Sequence, residues 1–393
     1  MRILQVHTHY RQAGGEDSVV QTECDLLRAG GHDVLTHRLA NPVASGEAAR
    51  DLIRAPWNRS AARGVAETAL EFDADVVHVH NTWFALSPAV FATVRNEGFP
   101  VVATVHNYRL SCVNALHYRD GAVCEDCVGH MPWRGVIHRC YRGSAAQSAV
   151  VAVTIGAHRL AGTWRKDVDV VIALTSFAAM KLATAGVPSE RIAVKPNVVE
   201  DPGPRVIPAS MSRKLLFVGR LTEDKGVTDL VEAWSEIDPL DLELQIVGDG
   251  PLLSSIQSSI RGTVSMTGSI PADAVRRLML SARALVLPSR WFEGLPMVLV
   301  EALSCGLPVV VPDHGALPEV AGEAGVTFAA GDRARLASAL NSLASDSLVA
   351  DKSAVAIETY RERFTPSQGL TRLEDIYEMA RATYAAGESS QPN

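Results

Sequence analysis

Short apolar runs that end in glycine-rich or polar loops recur along the chain, with helical patterns between them. The runs Arg2 to Val6, His32 to Leu39, Asp75 to His80, Val101 to Val105, Asp169 to Leu174 and Ile192 to Lys195 predict buried strands. After a proline-rich stretch, Glu200 to Ser210, the same rhythm resumes in Leu215 to Val218, Leu242 to Val247, Val264 to Met266, Ala284 to Leu287 and Pro308 to Val311. Helical patterns intervene: one reaches about Ala29 and is stopped by Gly30-Gly31. Others cover Pro88 to Asn96, Ser176 to Ala185, Val227 to Trp234, Ala272 to Ser281 and the segment after Pro296. Strands alternating with helices predict an α/β protein with parallel, doubly wound sheets.

At 393 residues the chain exceeds one comfortable core, so two domains are expected. The boundaries we read are 1–197 with a cysteine-rich insertion at about 107–145, a linker at 198–213, and a second domain at 214–368. A last helix, about Leu370 to Ala386, is expected to cross back onto the first domain, with a disordered tail, GESSQPN, at 387–393. A hydrophobic content of 47% and a charged content of 21% fit an ordinary globular protein, and the net charge of −7 argues against nucleic acid as a partner. No stretch approaches the ~20 apolar residues of a membrane helix, and MRILQVHTHY lacks the regions of a signal peptide. The expected compartment is the cytoplasm. Arg50 to Arg63, four arginines around Trp57, reads as a mobile pair of surface helices.

Between Pro288 and Pro312 two carboxylates, Glu293 and Glu301, stand eight positions apart. Gly294-Leu295-Pro296 separates them, and the apolar pattern Met297, Val298, Val300, Ala302, Leu303 begins a helix where proline is well placed. Glu293 therefore precedes a helix start whose N–H groups form an anion site, and Glu301 lies about two turns inside. Taken alone, the pair is equally a loop acid and a solvated helix residue. Gly14-Gly15 after the first strand is either a plain turn or a close backbone approach to a phosphate. Arg220 and Lys225, five positions apart on a strand-to-helix loop, are either surface cations or a diphosphate clamp. His106 ends a strand, as do His7 and His80, and Arg109 follows.

Cys112, Cys124-x-x-Cys127 and Cys140 suit a four-thiolate structural zinc, with buried or free thiols as the rival reading. From Cys127 to Lys166 there is not one acid, while Arg134, Arg139, Arg142, Arg159, Arg165 and Lys166 accumulate near Trp133 and Trp164. That is either a basic surface or a contact with anionic lipid headgroups.

The pattern Glu-x7-Glu enclosing Glu-Gly-Leu-Pro, followed by Glu-Ala-Leu-Ser-Cys-Gly-Leu-Pro-Val-Val, resembles the signature of the retaining glycosyltransferases of family four, the group 1 enzymes. Gly-Arg-x4-Lys-Gly at Gly219 to Gly226 is similar to the same family's pattern, and Asn197 to its Pro-Asn motif. The resemblance implies a GT-B fold, two Rossmann-like domains facing a central cleft, and transfer of a hexosyl unit from a UDP- or GDP-linked sugar to a lipid-linked saccharide or growing polysaccharide. It implies donor-phosphate binding by Arg220 and Lys225, and a sugar site at Glu293 with Gly294, Leu295 and Pro296. Glu301 would hold the ribose, His106 the donor sugar, and Gly14, Gly15, Asn197, Gly248, Gly250 and Ile270 would approach the nucleotide or acceptor. No catalytic metal is implied. The alternatives are a GT-B sugar-nucleotide epimerase and a catalytically silent scaffold of a polysaccharide assembly complex.

Overall fold

The computed structural model describes residues 1–9, 15–41, 54–237 and 241–389. Its strands, in chain order, are β1 (Arg2–His9), β2 (Asp33–Ala40), β3 (Val76–Asn81), β4 (Val101–Val105), β5 (Tyr118–Arg119), β6 (Ala122–Val123), β7 (Val170–Ala173) and β8 (Ile192–Val194). They continue with β9 (Lys214–Val218), β10 (Glu243–Val247), β11 (Val264–Gly268), β12 (Ala284–Val286), β13 (Val309–Pro312) and β14 (Gly325–Phe328). The chain folds as two compact units. One holds Met1–His117, Glu125–Lys195 and the chain from Leu370 onward; the other holds Tyr118–Cys124 and Pro196–Gly369.

The first unit contains a six-stranded sheet in the order β2-β1-β3-β4-β7-β8, parallel throughout. Its central strands are buried on both faces, as parallel strands covered by helices must be. Leu4 and Val6, Val77 and Val79, Val101 and Ala103 point into one core; Ile3, Val76, Val102, Val170 and Ile172 point into another. The helix Pro366–Ser389 seals the second face with Leu373, Ile376, Tyr377 and Ala380. It runs through Gly387 to Ser389, which the sequence had placed in the tail; 390–393 lie outside the described residues. The helix Arg59–Phe72, capped by the Asn58 side chain on Ala61 N–H, was not foreseen as a separate element. Part of the expected Arg50 to Arg63 pair, residues 50–53, lies outside the described residues.

The second unit carries a parallel sheet in the order β11-β10-β9-β12-β13-β14. Relative to β9 the winding reverses between β9 and β12, so the loops after these two strands flank the switch point where such sheets bind ligands. β14 was missed, because Gly-Val-Thr-Phe is too short to show a period. Arg283, buried in front of β12, donates to the carbonyls of Ser210, Ser212, Leu343 and Ala344 and to Asp346, tying the carboxyl-terminal helices to the sheet. The short hairpin of β5 and β6 also groups with this unit.

The sealing role of the last helix makes a direct prediction. Leu373→Ala should cost about 2–5 kcal/mol in chemical denaturation followed by a probe in the first unit. Unchanged stability would mean that Leu373 does not belong to that core.

Candidate functional site

In the second unit three neighbouring strands end in loops that press on one another through glycines. Gly226 sits at φ +68°, and a Cβ there would fall 1.9 Å from the Pro288 carbonyl oxygen. A Cβ on Gly248, at φ +144°, would lie 1.8 Å from the Gly219 oxygen. No side chain fits either gap, so the loop after β9 can lie directly on the loops after β10 and β12. Backbone bonds fix the contact: Gly219 N–H to Val247 O, Leu221 N–H to Asp249 O, and Leu252 N–H to Leu221 O. Gly250 sits against Leu221 in the same turn.

This closeness brings Lys225 to Glu293. Lys225 Nζ lies 2.6 Å from Glu293 Oε1, and Ser289 Oγ donates to the same oxygen at 2.7 Å. Glu293 is buried, while Lys225 is partly open. The ammonium also lies 5.2 Å from the centre of the Trp291 ring. Arg290 fastens the loop after β12 to the segment after β9: its side chain forms a bidentate pair with Asp229 and its N–H donates to Asp224 O. The Asp229 hydrogen bond outweighs desolvation and holds the Arg290 guanidinium above its usual range. His314 Nε2 meets Ser289 O at 3.0 Å on the far side. Arg220 is exposed, and among the described residues its guanidinium has no carboxylate partner.

The helix Met297–Ser304 follows Pro296 without a side-chain cap, so its first N–H groups, just beyond Gly294 and Leu295, remain available. Buried polar atoms without partners include Thr222 Oγ1 and Trp291 Nε1 on the same two loops, and the Asn197 amide oxygen at the start of this unit. Such orphans are uncommon in a finished interior and suit a polar ligand. Ile270 follows β11, half-buried.

The first unit has its own polar centre. Glu23 is buried against Lys195, with Nζ at 2.5 Å, and against His80 and His78. Burial alone would raise the Glu23 carboxyl, but Lys195 and the histidines hold it well below the usual range. His80 Nδ1 meets His106 Nε2 at 3.2 Å. Burial first, then His80, keep His106 well below the usual imidazole range, so it is a neutral ring at the end of β4. His7, buried and pushed down to about 4, faces Asp17 together with His9. Gly15 opens the helix Gly15–Ala29; Gly14 lies outside the described residues.

Comparison with known proteins identifies the family. Residues 13–201 match the model described as Glycosyltransferase Family 4, and residues 212–346 match that described as Glycosyl transferases group 1. The chain belongs to the group 1 glycosyltransferases. It is 28% identical over 341 residues to TuaC of Bacillus subtilis, a glycosyltransferase whose name places it in teichuronic acid biosynthesis; the match covers 85% of this chain and 73% of TuaC. Among solved structures, sucrose-phosphate synthase of Thermosynechococcus elongatus superposes with a TM-score of 0.71 at 18% identity, over 98% of this chain and 99% of that one. Alr3699/HepE of Anabaena, solved in complex with UDP, gives 0.65 at 16% identity, over 96% and 100%. These two likenesses establish the GT-B fold.

The four cysteines of the expected zinc knuckle are divided between the two units. Cys124 falls in the second unit, whereas Cys112, Cys127 and Cys140 fall in the first and do not gather there into a metal-sized group. Cys112 Sγ instead faces Asn114 Oδ1 at 2.9 Å, and the Cys127 thiol lies beside Arg159. Among the described residues the groups that come close enough for a metal are His7, His9 and Asp17, and Glu23, His78 and His80. Sequence reasoning missed Ser289, Arg290 and Asp229. Arg290 could have been flagged as a cation in the loop before Glu293, but nothing local points to Asp229.

In the glycosyltransferase, burial pushes the Glu301 carboxyl above its usual value, against the pull of Arg276. A carboxyl raised in this way holds its proton more tightly when folded. Its stabilising contribution is complete below the unfolded value and is lost as pH rises through the folded one. Glu301→Gln should therefore raise the thermal midpoint above wild type at neutral pH and match it near about pH 4. A variant no more stable than wild type at neutral pH would contradict the burial argument.

Proposed function

We propose that this glycosyltransferase moves a hexosyl unit from a UDP- or GDP-linked sugar to a growing polysaccharide unit or lipid-linked saccharide, with retention at the anomeric carbon. The observation that carries the proposal is the cluster of Lys225, Glu293 and Ser289 beside an uncapped helix start, with Arg220 exposed on the same loop as Lys225. As the bond from the anomeric carbon to the phosphate oxygen breaks, its electron pair leaves with the diphosphate. Lys225, with three N–H donors and one spent on Glu293, Arg220 and the N–H groups of Met297 and Val298 oppose that growing charge without a metal. Glu293, with Gly294, Leu295 and Pro296, positions the donor sugar; its carboxylate accepts from sugar hydroxyls. Glu301 accepts from the ribose hydroxyls, which supply the donors its burial lacks. Gly248, Gly250, Ile270 and Asn197 shape the nucleotide's surroundings. The acceptor hydroxyl bonds to the same face, and its proton passes to the departing phosphate oxygen. His106, a neutral ring, donates to a sugar or phosphate oxygen, and the Gly14-Gly15 loop approaches the acceptor.

We further read a peripheral contact with anionic membrane. Trp133, Ile137 and Leu160 are exposed amid the acid-free run that carries Arg134, Arg139, Arg165 and Lys166. That combination of apolar and cationic side chains suits a headgroup layer. Among the described residues no helix is long and apolar enough to cross a membrane.

The test is product analysis. The protein is incubated with a panel of UDP- and GDP-sugars and a saccharide acceptor, and the new linkage is read by NMR. Retention is expected, with no change of the donor when acceptor is omitted; an epimerised donor without acceptor would support the epimerase instead. Lys225→Ala and Glu293→Gln should keep wild-type circular dichroism and lose about a hundredfold or more in kcat. Turnover near wild type in either would remove these residues from the mechanism.

A further inference from the structure

The first unit contains a cavity, open to solvent, at the carboxyl ends of β3 and β4. Its wall is completed by the helix Ala145–Ala161. The lining includes Arg109, Arg159, His106, His158 and Trp83, and among the described residues it contains no aspartate or glutamate. We infer that this cavity receives an anionic group, a carboxylate or a phosphate, carried by the acceptor sugar. The inference rests on the reading of the protein as a sugar transferase and adds the charge of the acceptor to it.

The argument begins with Arg159. Its guanidinium is half-buried, and among the described residues it has no carboxylate partner. Its Nη1 donates to His130 O at 2.7 Å and its Nη2 reaches Leu110 O at a weak 3.4 Å. Its Nε is buried with no partner. A guanidinium stays charged in proteins, and this half-buried one, with two carbonyls and the Cys127 thiol beside it and no carboxylate among the described residues, is incompletely compensated. An incoming anion supplies the missing partner, in the fork geometry that arginine offers to carboxylate and phosphate.

The rest of the wall supports an anion over a cation or a neutral group. Arg109 is held against the rings of Trp83, at 5.4 Å, and Tyr141, at 5.2 Å, with Nη1 bonded to Val113 O. That stacking orders a second guanidinium before any ligand arrives. His158 does not compete for the anion: its nitrogens are taken by Pro56 O and Thr163 Oγ1, and burial lowers its affinity for a proton. Trp83, which also lines the cavity, adds an aromatic side chain to the same wall. A pocket with this few polar groups selects by the charge that they carry.

The test is titration calorimetry on the full-length protein in low-chloride buffer, with glucuronic acid, glucose 1-phosphate and glucose as probes, alongside UDP and GDP. We expect one of the two anionic sugars to bind at least about tenfold more tightly than glucose, and which one does so identifies the carboxylate or phosphate source. Arg159→Gln should lose about tenfold for that sugar and leave nucleotide binding unchanged, while Arg159→Lys retains part of the preference. The wild-type preference needs no variant, so it stands as a test even if Arg159→Gln loosens the corner near His130. Glucose binding as tightly as both anions, or an anion bound equally well by Arg159→Gln, would overturn the inference. Nucleotide binding with no sugar bound would overturn it while leaving the donor site intact. Selective anion binding with no nucleotide bound would support the cavity and count against the donor site.

Discussion

The ion pair between Lys225 and Glu293 depends on an approach of backbones that only glycine permits. If Gly226 carried a side chain, the loop after β9 would be driven off Pro288, and the ammonium would no longer reach a carboxylate that belongs to the loop after β12. Gly248 serves the same purpose against Gly219. The candidate site is thus set by the close nesting of three strand-end loops, and the charged residues are placed by it. Arg290 and Asp229 lock the two loops from the side, and Ser289 shares the Glu293 oxygen. Preorganised charge of this kind acts at the moment of bond breaking without further reorganisation.

The first unit solves a different problem. Its sheet must carry polar side chains inward at the ends of β1, β3 and β4, where apolar packing would otherwise continue. Glu23 and Lys195 make that possible by pairing in the interior, and the ring nitrogens of His78, His80 and His106 extend the network towards the strand ends. Tyr377, on the last helix, closes the other end by meeting His78 at 2.9 Å. A buried ionic network is costly to assemble unless every member is satisfied. The Arg159 guanidinium, with two carbonyls and the Cys127 thiol beside it but no carboxylate, stands out against that completeness, in a cavity with no acid among its described lining residues.

Much of the fold was legible because parallel strands buried on both faces, such as Val76 to Val79 and Val309 to Val311, leave near-continuous apolar runs. β14 and the helix Arg59–Phe72 escaped because one is very short and the buried stripe of the other, Ala62, Val65, Ala66 and Ala69, is mostly alanine, a weak apolar signal in sequence. In the candidate site, Arg220, Lys225, Glu293 and Glu301 were picked out by the resemblance of their motifs; spacing alone left each as a surface residue. The contact between Lys225 and Glu293 crosses 68 positions and could not be read locally. Nor could the partnership of Arg290 with Asp229, or of Glu23 with Lys195, since both pairs exist only once strands lie side by side. Nor does sequence spacing say which unit a hairpin joins, so the grouping of Cys124 with the second unit could not be read either.

The central claim is that Lys225, Arg220 and the start of the helix Met297–Ser304 grip the diphosphate of a nucleotide sugar. A crystal structure of the protein soaked with UDP or GDP tests it most directly. The account predicts the diphosphate within about 3 Å of Lys225 Nζ and the Arg220 guanidinium, with the ribose hydroxyls on Glu301. A well-ordered nucleotide bound away from the loops after β9 and β12 would contradict it.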